Sequence, residues 1–354
     1  MLSLDEFARK WKIDPAPLAP VARRYPFGLN AYFEGLIRES GDGVWRQVVP
    51  DPLEMSDFSG FEDPLAEEAL SPAPNLVHRY PNRVLWLVSN QCALNCRFCT
   101  RKRRWGRGEE PQDLKPALDY IAERKEIVDV LLSGGDPLLL PQERLYEILR
   151  RLREIEHVQI IRIGSRVPCA LPSAITPGLA QMLSGFHPLY VNIHFNHPVE
   201  VTVESAQACA ILANAGIPLA SQTVLLRGVN DSHTILAELF HKLLSIRVRP
   251  YYLMQMDLTA GTAHFRTPLS TGLKVLRMLR NRISGLAMPH FVIDLPGGRG
   301  KMALLPNMIR EINAKEMIVG NYTGETCIYP LLEGEQESLQ AEAAAGAASG
   351  WPSL

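Results

Sequence analysis

The sequence carries almost no net charge: 37 Lys and Arg face 38 Asp and Glu, leaving −1 at neutral pH. No bulk field therefore draws the chain to nucleic acid or to an anionic lipid surface. Long hydrophobic runs are missing as well. The longest, such as Val84–Val88 and Val128–Leu132, fall far short of the ~20 residues a spanning helix needs. Residues 1–12 include Asp5 and Glu6 and no uninterrupted apolar stretch, so no secretory leader is read and a reducing, cytoplasmic setting is expected. Aromatic residues are only 7%, but a hydrophobic content of 46% excludes a disordered chain, a fibre or a disulfide-stapled miniprotein. Cysteine is scarce, six in 354 residues, yet three of the six fall between positions 92 and 99. In a reducing compartment such crowding points to metal or catalysis.

The length suits two domains, or one barrel with appendages. Residues 1–75 read as a helical N-terminal extension, with helical periodicity over Ser3–Lys12 and Leu29–Arg38 and an aperiodic stretch rich in Pro, Asp and Glu at 50–74. From 76 to 300 short apolar runs alternate with amphipathic segments. Val84–Val88, Val128–Leu132, Gln159–Ile163, Leu189–His194, Leu219–Leu225 and Pro250–Met254 read as strands buried on both faces. Helical patterns lie between them at Leu114–Glu123, Gln142–Ile155, Thr176–Ser184, Ser205–Ala215, Ser232–Ser245 and Leu269–Ile283. This alternation predicts an α/β parallel sheet, barrel or doubly wound, and six repeats are too few for a closed eight-strand barrel. A seventh apolar run, Phe291–Ile293, precedes a C-terminal segment at 301–332. Residues 333–354, rich in Glu, Gln, Ala and Ser, read as a flexible tail.

Three segments carry chemistry. Cys92, Cys96 and Cys99 follow the first strand with spacing C-x3-C-x2-C. Three thiolates on one loop reach three corners of a [4Fe–4S] cube and leave one iron open. Zinc is the competing metal, but it prefers four ligands. The segment Leu132-Ser-Gly-Gly-Asp136-Pro ends the second strand and by itself is only a turn. The third segment, Asp294-Leu-Pro-Gly-Gly-Arg-Gly-Lys301, places a lysine after a glycine-rich turn. That lysine is a solvated side chain, a phosphate contact or a Schiff-base former; Met302 rules out a P-loop. The basic run Arg101–Arg104 suggests nucleic acid only weakly, given the balanced charge, and the isolated Cys169, Cys209 and Cys327 read as structural.

The cysteine loop and its place after the first strand resemble the radical S-adenosylmethionine superfamily. The blocks Tyr80-Pro-Asn-Arg83, Cys99-Thr-Arg101-Lys-Arg, Arg162-Ile-Gly-Ser-Arg166, Val191-Asn-Ile-His194-Phe-Asn-His197, Gln222–Asp231, Asp257-Leu and His264–Pro268, in order with the lysine segment, resemble the lysine 2,3-aminomutase family over residues 76–310. The resemblance implies a partial (β/α)6 TIM-type barrel. It implies a cluster on Cys92, Cys96 and Cys99, and S-adenosylmethionine held by Ser133, Gly134, Gly135, Asp136, His194 and Gln222, the glycines admitting close backbone approach to the ligand. It further implies pyridoxal phosphate on Lys301 as a Schiff base, with Arg79, Tyr80 and Arg83 at its phosphate, and Arg101 on the substrate carboxylate. Without the resemblance, His194 reads as a core histidine and the arginines as surface charge.

By the same resemblance Asp257 and Asp294 hold the distal ammonium of lysine. A carboxylate ~4 Å from a unit charge interacts by about 4 kcal/mol at an effective dielectric near 20, attracting a cation and repelling glutamate. Glutamate-specific relatives replace these aspartates, whereas arginine stays open as a substrate. The implied reaction is a 1,2-amino shift between L-lysine and β-lysine, started by a 5′-deoxyadenosyl radical that removes the β-hydrogen. The implied partners are an amino-acid substrate, an electron donor such as flavodoxin or ferredoxin, and further copies of the chain. Other readings are the same shift in modification of elongation factor P, and a radical RNA-modifying enzyme or iron–sulfur carrier without pyridoxal phosphate. The chain departs from the family in three places. It lacks the C-terminal cysteine cluster that binds zinc in relatives, so zinc is not expected. Met254-Gln-Met256 stands where relatives have Tyr and Cys. Arg299 stands where relatives often have Gly, at a cost of about 1 kcal/mol if that position needs positive φ.

Overall fold

Apolar runs without alternation are satisfied only in a sheet covered on both faces. The computed structural model, which describes residues 1–57, 59–105, 113–313, 315–321 and 323–339, contains that sheet. It is built from β1 (Leu76–Tyr80), β2 (Arg83–Ser89), β3 (Asp129–Gly134), β4 (Ile160–Ser165), β5 (Leu189–Ile193), β6 (Leu219–Leu225), β7 (Val248–Gln255), β8 (His290–Asp294) and β9 (Lys301–Ala303), in chain order. Strands β2 to β8 run parallel, each joined to the next by a crossover. They coincide with the six expected strands and the seventh apolar run. The two edges, β1 and β9, are antiparallel additions that the sequence pattern did not reveal. β1 folds back on β2 through Pro81 and Asn82, and β9 is too short to show a period.

The sheet curls into a partial barrel. β1 and β9 stand at opposite ends of the strand order. Even so, the Lys301 N–H donates to Tyr80 Oη at 2.8 Å, and Arg79 pairs with Asp294 at 2.8 Å. Among the described residues no main-chain ladder joins these two edges, so side chains close the seam.

Crossover helices cover the outside at Lys115–Ala122, Gln142–Arg153, Pro177–Ser184, Val203–Asn214, His233–Ser245 and Leu269–Leu279, all within the expected segments or a residue or two of them. The helix expected over Leu29–Arg38 shrinks to Ala31–Glu34, because Asn30 caps it through the Phe33 N–H and Gly35 ends it. Residues 1–75 contribute to the core of the barrel. Phe7, Leu29, Phe33, Val44 and Val48 are buried in the same apolar core as Trp86, Val130 and Ile161. Beyond the barrel, β10 (Ile309–Ile312), β11 (Glu316–Gly320) and β12 (Thr326–Pro330) form a small separate antiparallel sheet. In the expected tail, residues 333–334 form a turn and 335–339 are helical, and 340–354 lie outside the described residues.

Candidate active site

Parallel strands deliver their C-terminal ends to one side of a barrel, where loops have room to diverge and sites form. A cavity of about 670 Å³ opens there and runs into the barrel interior. All sixteen residues singled out above line it: the three cysteines, Ser133 to Asp136, His194, Gln222, Arg79, Tyr80, Arg83, Arg101, Asp257, Asp294 and Lys301.

The cysteine loop leaves β2 and is fastened by a buried ionic network. Arg97 donates to both oxygens of Glu54 at 2.9 and 2.6 Å, and Lys102 reaches the same carboxylate at 2.7 Å. Glu54 and Arg97 are inaccessible to solvent in their side chains. Burial pushes the Glu54 carboxyl up, but the two cations outweigh it and hold it below its usual range. Burial also pulls the Lys102 ammonium down to about 8 despite Glu54. The basic run is thereby neutralised from within. Arg101 pairs with Glu67, Arg103 with Asp63 and Glu68, and Arg104 donates to Asn75.

The Gly134–Gly135 pair is also required by its backbone surroundings. Gly134 has φ +118, and a Cβ there would lie 2.3 Å from the Ser89 carbonyl; at Gly135 it would lie 2.2 Å from that of Gln91. The glycines are thus needed by the backbone that leads into the cysteine loop, whatever ligand approaches later. Asp136 is likewise engaged within the protein. Its carboxyl accepts from Ser165 Oγ at 2.8 Å and from the N–H groups of Arg166, Val167 and Leu138, tying the end of β3 to the end of β4. Burial still pushes it up to about 6.

Each sulfur environment suits a bound cluster. Cys99 Sγ accepts the Arg101 N–H at 3.3 Å, and Cys96 Sγ lies 2.8 Å from Arg166 NH1. Burial and the neighbouring thiols push Cys92 well up and Cys99 up to about 11, a penalty that ligation to a cation removes. His194 is pulled down to about 4, first by burial and then by Arg166, Arg101 and Lys301, so its imidazole is neutral at physiological pH.

Across the cavity, Arg101 does not stand free. Glu67 grips it, Nε to Oε1 at 2.9 Å and NH2 to Oε1 at 2.7 Å, and its NH1 reaches Ser133 Oγ at 3.4 Å. Glu67 was not legible in the sequence, lying in an acidic stretch without period. Lys301 Nζ pairs with Asp294, which also receives Arg79. Asp257 has no hydrogen-bond donor at its carboxyl among the described residues. Burial first, and then Asp294, push it up to about 7. Arg83 stacks on the Tyr80 ring at 3.8 Å. In the glycine-rich turn Gly297, Gly298 and Gly300 take positive φ, whereas Arg299 sits at φ −76, so the arginine there causes no backbone strain.

Comparison with known proteins places the chain in a family. The radical SAM superfamily matches residues 86–240, and the lysine-2,3-aminomutase family matches residues 276–348. The L-lysine 2,3-aminomutase of Clostridium subterminale is 45% identical over 318 residues, covering 88% of this chain and 76% of that protein. The L-lysine 2,3-aminomutase of Acetoanaerobium sticklandii is 47% identical over 307 residues, covering 85% and 74%. The chain belongs to the lysine 2,3-aminomutase family. A glutamate 2,3-aminomutase of Clostridioides difficile, 40% identical over 82% of this chain and 70% of its own length, shows that the wider group also handles an acidic substrate. As a lysine 2,3-aminomutase family member of the radical SAM superfamily, the chain is an isomerase that acts on a small molecule with S-adenosylmethionine and a [4Fe–4S] cluster. No helix among the described residues is long and apolar enough to cross a membrane.

Proposed function

We propose that this chain interconverts L-lysine and β-lysine, moving the α-amino group to the β-carbon on pyridoxal phosphate held by Lys301. The observation that carries the substrate is the pair Asp257 and Asp294 in one cavity with Arg101. Asp294 already accepts an alkylammonium, that of Lys301, and Asp257 beside it has no donor of its own among the described residues. An aliphatic ammonium therefore meets two carboxylates, whereas the side chain of glutamate would meet two like charges.

The pyridoxal phosphate site is supported by Lys301 at the cavity wall and by Arg79, whose buried Nε has no hydrogen-bond partner among the described residues. Arg79, Tyr80 and Arg83 would receive the phosphate, guanidinium forks matching phosphate oxygens. Tyr80 Oη also fixes the Lys301 backbone. When bound, S-adenosylmethionine supplies the 5′-deoxyadenosyl radical and pyridoxal phosphate delocalises the unpaired electron. The chain's own residues do the rest. Cys92, Cys96 and Cys99 ligate the cluster. Ser133, Gly134, Gly135, His194 and Gln222 shape the S-adenosylmethionine end, and Asp136 holds that end together. Arg101, oriented by Glu67, takes the substrate carboxylate. Fixing carboxylate and ammonium at two ends presents the β-carbon in one orientation and excludes water from the radical. A low-potential donor of the flavodoxin or ferredoxin type and self-association belong to the same proposal.

Anaerobic incubation with S-adenosylmethionine and a reductant, with lysine, arginine and glutamate offered separately, tests the substrate by mass spectrometry. β-Lysine is expected, and conversion of arginine alone would overturn the assignment. Extraction of anaerobically purified protein should release pyridoxal phosphate from wild type and none from Lys301→Ala. Wild type without it would sink the amino-shift reading.

A further inference from the structure

Arg166 follows the end of β4 and is only 8% exposed, and both terminal nitrogens of its fork are held, while its Nε has no hydrogen-bond partner among the described residues. NH1 lies 2.8 Å from Cys96 Sγ, while NH2 donates to Gln47 Oε1 at 2.6 Å and to Glu200 Oε1 at 3.2 Å. Glu200 is itself wholly buried and held by the Asn196 N–H at 2.7 Å and Gln47 Nε2 at 2.7 Å. The Phe33 and Phe98 rings flank the guanidinium at 5.0 and 5.3 Å. Residues from four separate stretches thus converge on one charge beside one sulfur. A guanidinium does not lose its proton in a protein, so this charge is permanent. In an apolar, water-poor setting its field on the sulfur is weakly screened.

We propose that Arg166 is a positioning residue that raises the reduction potential of the cluster through Cys96, and that Glu200, by opposing its charge, sets how far. The inference rests on the reading that Cys96 ligates the cluster. Reduction adds an electron to a cluster whose charge is shared with its ligand sulfurs. A donor and a cation at the sulfur stabilise that extra charge, and a buried anion nearby destabilises it. Gln47 keeps the fork from turning away. A purely architectural role, holding the loop to β4, requires no effect of either charge on the potential.

The two charges predict opposite signs, and that is the test. Anaerobically reconstituted full-length protein, without S-adenosylmethionine, is titrated with dithionite and followed by electron paramagnetic resonance. Arg166→Gln should lower the ratio of reduced to oxidised cluster about tenfold at a fixed potential, equivalent to about 59 mV for one electron. Glu200→Gln should raise it, and Arg166→Lys, which keeps the charge and loses the fork, should fall between wild type and Arg166→Gln. If Arg166→Gln does not hold a cluster, the upward shift in Glu200→Gln decides alone. Unchanged potentials, or shifts in one direction for both charges, overturn the proposal. So does an unchanged potential combined with weakened S-adenosylmethionine binding, which would assign Arg166 to that ligand's carboxylate. Failure of the ligand reading looks different: wild type would then bind no iron and sulfide, or Cys96→Ala would keep a normal cluster.

Discussion

Two carboxylates in one buried site do not both ionise readily unless a cation joins them. Asp257 registers this directly, with its carboxyl up at about 7 through burial and Asp294. Because the folded value lies above the unfolded one of 3.8, the folded chain binds this proton more tightly than the unfolded chain does. The contribution to stability is therefore present at low pH and is lost as pH rises from about 4 to about 7. In the cofactor-free protein, the melting temperature of wild type relative to Asp257→Asn should fall across that interval, as thermal unfolding at several pH values would show. An ammonium ligand requires the ionised form, so lysine binding should weaken as pH drops below about 7. Asp257→Asn removes one charged hydrogen bond, worth about 1.5–3 kcal/mol, and should raise KM for lysine roughly ten- to a hundredfold with a smaller change in kcat. Steady-state kinetics checks it; an unchanged KM would place the distal ammonium elsewhere.

At the scale of elements, the cysteine loop depends on a carboxylate from outside the barrel strands. Removing Glu54 leaves Arg97 and Lys102 as uncompensated buried charges, and Glu54→Ala should cost about 3–5 kcal/mol in urea denaturation. Iron content per chain should fall with it. The glycine-rich turn offers a contrasting pair. A Cβ at Gly298 would meet Leu70 Cδ1 at 2.4 Å and the Leu65 carbonyl at 2.8 Å with φ at +74. Arg299 has an ordinary backbone. Gly298→Ala should therefore deplete bound pyridoxal phosphate, while Arg299→Gly should leave it near wild type. Measured cofactor content that followed the opposite order would mean the turn does not position Lys301. These elements also mark what the sequence could reveal. Strands β2 to β8 were legible because burial on both faces writes an unbroken apolar run; the cysteine and lysine segments stood out by their residues, and the role proposed for the lysine came from the family resemblance. The contacts of Glu54, Glu67 and Arg166 were not legible, since each acts on a partner at least 34 positions away, and only the fold supplies that proximity.

For the whole molecule, one continuous core includes both the first 75 residues and the barrel. Phe7 packs against Trp11, Phe27 and Trp45 with ring centroids 5.2–5.9 Å apart. Unfolding should therefore be a single transition, with tryptophan fluorescence and far-ultraviolet circular dichroism giving coincident curves up to the barrel's own midpoint. An earlier fluorescence transition would mean that the N-terminal segment melts by itself. The barrel also ends where it begins. Among the described residues, hydrogen bonds and ion pairs of Arg79 and Tyr80 with Asp294 and Lys301 tie the two ends together, and all four line the proposed cofactor and substrate cavity. The closure is a clasp rather than a weld, so it can part without unzipping any main-chain ladder. Cofactor entry and barrel closure then become one event, and hydrogen exchange at β1 and β9 should slow on loading while β4 and β5 keep their rates.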